Sequence, residues 1–195
     1  MISKIILASK SEVRRKILEK NGITCTVLPA NIDEDLIKDS LSKEGASPEL
    51  ISKNLAELKA NKISAKKNEN LVLGADSVID LNGEIISKPS DRLDALNILK
   101  KLNGKKHQLI SSVCISKNGR MIWNYTDKAF LTMKQMHLED LKLYLKKIPD
   151  RDLYAYNVYQ IEGEGKRLFS EIKGDENTIM GLPIEKIQLY LTSLK

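Results

Sequence analysis

Apolar positions along the chain follow two spacings, one suited to strands and one to helices. Residues 4–8 and 23–28 are short apolar runs that read as buried strands. Between them Val13, Ile17 and Leu18 fall at helical spacing, after Ser9-Lys10-Ser11 and before the stop Asn21-Gly22. Residues 29–46 are polar and read as a loop. Ser47-Pro48-Glu49 is a strong helix start, with Ser as cap, Pro at the first helical position and an acid in the first turn. Ile51, Leu55 and Leu58 form the expected inner stripe of a helix over 48–67. Residues 70–79 read as a strand, Asn82-Gly83 as a hairpin turn, and Ser90 opens a helix on Leu93, Leu96 and Leu99 that stops at Asn103-Gly104. Two longer β runs, 107–116 and 121–133, meet at Asn118-Gly119. Leu138, Leu141 and Leu145 mark a helix closed before Pro149. Residues 168–172 read as a last strand, and Ile184, Ile187 and Leu191 as a last helix after Gly181-Leu182-Pro183. The alternation predicts an α/β fold with a mixed sheet.

A chain of 195 residues can bury one sizeable core, or two small lobes, without disulfides or a structural metal. No apolar run approaches the roughly 20 residues of a membrane span, and the start lacks the apolar segment of a signal peptide. A soluble, cytoplasmic protein without membrane contact is expected. Cys25 and Cys114 lie in apolar runs with no CxxC or Cys/His pattern, and read as reduced core thiols. The net charge of +6 invites a nucleic-acid reading. The lysines, however, are interleaved with acids, form no basic block and have few aromatics beside them, so no nucleic-acid partner is expected. Only six of the 32 cations are Arg, which makes the adjacent pair Arg14-Arg15 stand out.

Four segments can carry chemistry. The turn from Leu7 to Arg15 joins a strand to a helix, so free N–H groups and the positive helix end converge there and attract an anion. Two guanidiniums in that first turn oppose the dipole unless a phosphate lies between them or they point away to surface carboxylates. In Val72-Leu73-Gly74-Ala75-Asp76-Ser77, a small-residue pair delivers Asp76 as a general base, a metal ligand or a turn former. Asn31-Ile32-Asp33-Glu34-Asp35 suits Mg²⁺ or Mn²⁺ beside phosphates, or is a solvated acidic loop. In Tyr159-Gln160-Ile161-Glu162-Gly163-Glu164-Gly165 the glycines permit a tight turn or a close backbone approach, and Glu162 offers an acceptor. Lys59 and Lys88 are single cations near these segments. No Walker motif, GxGxxG or nucleophile elbow is present, which disfavours a covalent mechanism and leaves water activated by carboxylate and metal.

These segments together resemble the Maf-like nucleoside triphosphate pyrophosphatases: Leu7-Ala8-Ser9-x-Ser11-x-x-Arg14-Arg15, Ile32-Asp33-Glu34, Leu55-Ala56-x-x-Lys59-Ala60, Gly74-Ala75-Asp76, Lys88-Pro89, Leu102-x-Gly104-x-x-His107, Gln160-Ile161-Glu162-Gly163-x-Gly165 and Gly181-Leu182-Pro183, in order from residue 5 to 191. The resemblance implies a single domain of two lobes with a central cleft. Its fold would be an elongated mixed β-sheet flanked by helices, similar to inosine triphosphate pyrophosphatases. It implies hydrolysis of the α–β phosphoanhydride of a standard or modified nucleoside triphosphate, with a divalent cation, Mg²⁺ or Mn²⁺. Asp76 would activate water; Ser9, Arg14, Lys59 and Lys88 would hold phosphates; Glu34 and Asp76 would bind the metal. Val13, Ser77 and Glu162 fall where the family's subgroups differ in base choice. The Glu is similar to the 7-methyl-GTP-directed type, whereas Val13 and Ser77 match neither that type nor the dTTP/UTP type. The chain also departs from the family's Ser-Pro-Arg-Arg at Glu12-Val13 and from its Lys-Ala-Gly-x-Tyr over 154–158. A homodimer is implied. The alternative is a non-catalytic nucleotide-binding regulator acting through a protein partner.

Overall fold

Ile5–Leu7 (β1) is buried throughout and pairs in parallel with Cys25–Val27 (β2) on one side and with the start of Val72–Leu81 (β3) on the other. The computed structural model describes residues 5–156 and 158–194. Beyond β3 the sheet continues antiparallel through Lys106–Lys117 (β5), Arg120–Met133 (β6) and Phe169–Lys173 (β7), in the order β2-β1-β3-β5-β6-β7. Glu84–Ile86 (β4) hairpins back on β3. β5 takes one edge of β3 from Val72 to Asp80. β1 and β4 therefore share the other edge, β1 at Val72 and Leu73, β4 at Ile79 to Leu81. Residues 74–78 lie between them with no strand partner on that side among the described residues. This gap in the edge opens the sheet to a cleft.

Strand alternation sorts the side chains of β3. Leu73, Ala75, Ser77 and Ile79 face one way, and Gly74, Asp76 and Val78 the other. Pro48–Ser64 (α3), capped by Ser47, covers the second face, with Ala56 and Ala60 against Cys114. The first face carries two apolar clusters. One gathers Leu73, Ala75, Val113 and Ile115 with Glu12–Lys20 (α1) and Ile184–Ser193 (α8). The other gathers Ile79, Leu109, Ala129 and Leu131 with Arg92–Leu102 (α4) and Leu138–Lys147 (α5).

The strands and the main helices fall where the spacing places them, with instructive exceptions. The expected loop over 29–46 contains a helix, Glu34–Lys43 (α2), capped by Asp33, whose Oδ1 accepts from Leu36 N. None of its residues is buried, and its only apolar positions, Leu36, Ile37 and Leu41, are too few among polar ones to mark it. Asp150–Tyr156 (α6) and Glu176–Ile179 (α7) were not expected either. α3 ends at Ser64 and turns Leu58 outward; its inner face is Ile51, Ser52, Leu55, Ala56, Lys59, Ala60 and Ile63. Leu93 and Leu138, read as inner positions, are also exposed, and Cys25 is half-buried where Cys114 is buried. Among the described residues no helix is long and apolar enough to cross a membrane.

Candidate active site

The turn after β1 places Ser9 and Arg14 inside the cleft. Ser11 caps α1 through a bond from Arg14 N (3.3 Å). Ser9 Oγ accepts from Ser11 N (3.2 Å) and from Arg14 Nη1 (3.2 Å). Both of its lone pairs are thereby taken, and its hydroxyl proton is left to donate to an acceptor in the cleft. The Arg14 guanidinium also donates to Gly181 O (2.9 Å), Ala75 O (3.0 Å) and Ser77 Oγ (3.0 Å). These contacts occupy all but one of its N–H groups. Burial pulls its pKa down, while the charges of Asp76 and Glu34 oppose the shift. Backbone carbonyls thus answer the conflict with the helix dipole at Arg14. Arg15 points outward to Glu12 and to Glu19 (2.8 Å). The two arginines therefore face opposite ways and form no shared phosphate clamp.

On the other face of β3, Lys59 reaches across from α3. Its Nζ lies 2.9 Å from Asp76 Oδ1, 2.9 Å from Glu34 Oε1 and 3.4 Å from Ala75 O. The approach depends on Gly74, where a Cβ would sit 2.1 Å from Ala56 O. Ser52 Oγ donates to Asp76 O (3.2 Å) from one turn earlier. Asp76 is 3% exposed, and its Oδ2 is buried without a hydrogen-bond partner. Half-buried Glu34 begins α2. Burial raises its pKa, but the charge and hydrogen bond of Lys59, with Lys38 and Arg14, outweigh that and hold it below the ordinary value. Lys62 Nζ secures the preceding loop at Asn31 O (2.9 Å). Lys88, just after β4, has its pKa lowered by loss of hydration and by the Arg14 charge; Glu34 opposes this, and Lys38 and Lys59 add to it.

A cavity of about 780 Å³ joins the two sides around the open edge of β3. Ser9, Val13, Arg14, Glu34, Lys38, Lys59, Asp76, Ser77, Lys88, Glu162, Met180 and Gly181 are among the residues that line it, with Asp76 and Lys59 on one face of β3 and Ser77, Arg14 and Gly181 on the other. All the residues singled out as phosphate, metal, base or catalytic groups thus line a single cavity. Of the lining carboxylates Glu12, Glu34, Asp76 and Glu162, Glu34 and Asp76 meet at Lys59, and among the described residues no cluster of three or more His, Cys, Asp and Glu stands ready to hold a cation alone. A buried carboxylate oxygen without a partner, facing a second carboxylate across an ammonium, fits a hard ion that completes its shell with phosphate oxygens and water.

The family model described as Maf-like protein matches residues 4–194. The chain belongs to the Maf-like family. A "Nucleoside triphosphate pyrophosphatase" of Pelagibacter ubique (strain HTCC1062) is 69% identical over 195 residues, all of both chains. A "7-methyl-GTP pyrophosphatase" of Rhizobium etli is 38% identical over 184 residues, 94% of this chain and 92% of that one. Among solved structures, a nucleoside-triphosphatase / dITP/XTP pyrophosphatase of Mycobacterium abscessus is 14% identical, covers 98% of this chain and 94% of that one, and has a TM-score of 0.43.

This Maf-like chain also lines its cavity with residues that sequence reasoning missed. Lys38 escaped notice because its helix was read as loop, although it stands one turn after Glu34. Arg151 belongs to α6, equally unread. Tyr159 lines the cavity, while His107 backs it, with Nε2 2.9 Å from Tyr159 Oη. Glu162 is exposed at the rim, on a turn whose Gly165 leaves no room for a Cβ, which would lie 2.5 Å from Gln160 O.

Proposed function

We propose that the chain hydrolyses the α–β phosphoanhydride of a nucleoside triphosphate, releasing the monophosphate and pyrophosphate. The observation that carries this reading is the state of Asp76, with one oxygen held by Lys59 and the other buried, unpartnered and beside the cavity. The name of the Pelagibacter relative, at 69% identity over the full chain, supports it. In this reading Oδ2 takes the proton of the attacking water as its oxygen bonds to the α-phosphorus. The P–O bond to the bridging oxygen breaks, and its electron pair leaves with pyrophosphate. Ser9 donates its free hydroxyl proton to a phosphate oxygen. Lys59 and Lys88 offset the phosphate charge, and Arg14 adds its field and its remaining N–H. Glu34 and Asp76 would hold Mg²⁺ or Mn²⁺, which when bound neutralises phosphate charge and acidifies water.

Val13, Ser77 and Glu162, which also line the cavity, are the proposed contacts to the base, standard or modified; the 7-methyl-GTP pyrophosphatase relative makes that nucleotide a member of the test panel. A cytoplasmic homodimer belongs to the same proposal, the dimer by family resemblance and the compartment by the unpaired thiols of Cys25 and Cys114. The test is a panel of triphosphates with Mg²⁺ or Mn²⁺, assayed for pyrophosphate. Asp76→Asn should cost about 100-fold or more in kcat. Release of orthophosphate alone, or an Asp76→Asn enzyme as fast as the parent, would overturn the reading.

A further inference from the structure

A polar row crosses the sheet face that carries the two apolar clusters. Ser77 of β3 stands opposite Ser111 of β5, which stands opposite Asp127 of β6. Their neighbours along the same face, Ala75 and Ile79, Leu109 and Val113, are apolar. The hydrogen bonds fix the direction of every proton in this row. Ser111 Oγ donates to Thr178 O (2.7 Å), a carbonyl that can only accept, and so has spent its only proton. The 2.8 Å contact between the two serine hydroxyls must then be donated by Ser77. Ser77 also accepts from Arg14 Nη2 (3.0 Å). It is left with a single lone pair and no proton for anything in the cavity. Thr178 is itself fixed: it is fully buried, its N–H donates to Asp175 Oδ2 (2.8 Å) and its Oγ1 to Asp127 Oδ2 (2.7 Å).

We propose that Ser111 is a positioning residue for base specificity: by taking the proton of Ser77 it makes this wall of the cavity a hydrogen-bond acceptor, which selects a nucleobase presenting an exocyclic amino group there. The inference rests on the nucleotide reading above. It places the base at Ser77 because Ser77 shares its face of β3 with the apolar cluster on which Val13 and Met180 pack, beside Arg14 and Gly181, whereas Lys59 stands with Asp76 on the opposite face. Ser111 is buried and touches no substrate, so it acts only through Ser77.

Replacing an exocyclic amino group by an oxo group swaps a donor for an acceptor at that position and adds an N–H to the neighbouring ring nitrogen; for a wall that reads the exocyclic group, the decisive substrates are the pairs ATP/ITP, CTP/UTP and GTP/XTP. The parent should favour the amino member of at least one pair in kcat/KM. Ser111→Ala frees the Ser77 proton to turn into the cavity and should lower that ratio about tenfold, the cost of one mismatched hydrogen bond. In a Ser77→Ala background, Ser111→Ala should leave the ratio unchanged. Where Ser111→Ala does not fold, Ser77→Ala alone must still lower the amino/oxo ratio. A parent without amino preference in any pair, or variants that slow both members of every pair in proportion, would overturn the inference. Failure of the parent to release pyrophosphate from any triphosphate would instead overturn the hydrolase reading.

Discussion

Lys59 and His107 are both buried, and the chain treats their charge in opposite ways. Lys59 keeps its ammonium between Asp76 and Glu34 and orients both carboxylates. His107, 2% exposed among Tyr159 and Phe169, is held neutral: burial pulls its pKa from 6.5 down to about 4, against a smaller opposing pull from the backbone of Lys105. From pH 6.5 down to about 4 the unfolded ring binds a proton that the folded ring does not. His107 therefore contributes stability fully above pH 6.5 and loses it as the pH falls toward 4. The loss across that window amounts to about 3 kcal/mol. His107→Gln can keep a donor to Tyr159 Oη without titrating. Thermal melts from pH 8 down should show the parent losing stability more steeply than this variant below about pH 6.5. Parallel curves would mean that the ring is protonated in the folded protein.

α3 sets the geometry of the site because it lies against β3 at Gly74. A methyl group there would meet two backbone atoms of one helical turn, Ala56 O at 2.1 Å and Ala60 N at 2.7 Å, neither of which can rotate aside. Gly74→Ala must push the helix off the strand, and Lys59 moves with the helix. The expected cost is about 2 kcal/mol of stability from overpacking, and about 100-fold in kcat from the displaced ammonium. A variant with a lowered melting temperature but the parent's kcat would show that Lys59 can follow Asp76 by other means. Much at this scale was legible in the sequence. Ser47-Pro48-Glu49 marked the start of α3, and the run over 70–79 marked the strand that carries Asp76. The rest was hidden for physical reasons. α2 buries nothing and has only Leu36, Ile37 and Leu41 as apolar positions, so it passed for a polar loop, and it took Lys38 with it. Leu58, Leu93 and Leu138 keep helical spacing yet face solvent. That carbonyls and serines consume nearly all the donors of Arg14 depends on Ala75, Ser77 and Gly181, segments far apart in the chain.

At the scale of the molecule, the cavity lies where the sheet's apolar face changes hands between its two clusters, which share Met180 as a neighbour. The side chains on its walls belong to both ends of the fold: Val13 packs on the cluster around α1 and α8, while Tyr159 is part of the one around α4 and α5. A ligand filling the cavity touches both and must stabilise them together. The net charge of +6 favours a polyanion in general, but the cavity lining sets Lys10, Arg14, Lys16, Lys38, Lys59, Lys88 and Arg151 against Glu12, Glu34, Asp76 and Glu162, so a triphosphate with its cation gains far more there than on the interleaved surface. An α,β-methylene nucleoside triphosphate with Mg²⁺ cannot be cleaved at the proposed bond and isolates this binding energy. At about 100 times its Kd it should add about 2.7 kcal/mol to the folded state, which for a chain of this size raises Tm by roughly 5 to 10 °C. Lys88→Ala should shrink the shift at the same ligand concentration, because one of the cations facing the phosphates is gone while the clusters stay intact. A single melting transition that moves as a whole would show that the ligand couples the two ends of the sheet; a transition that splits, with one part unmoved, would show that it binds one end alone.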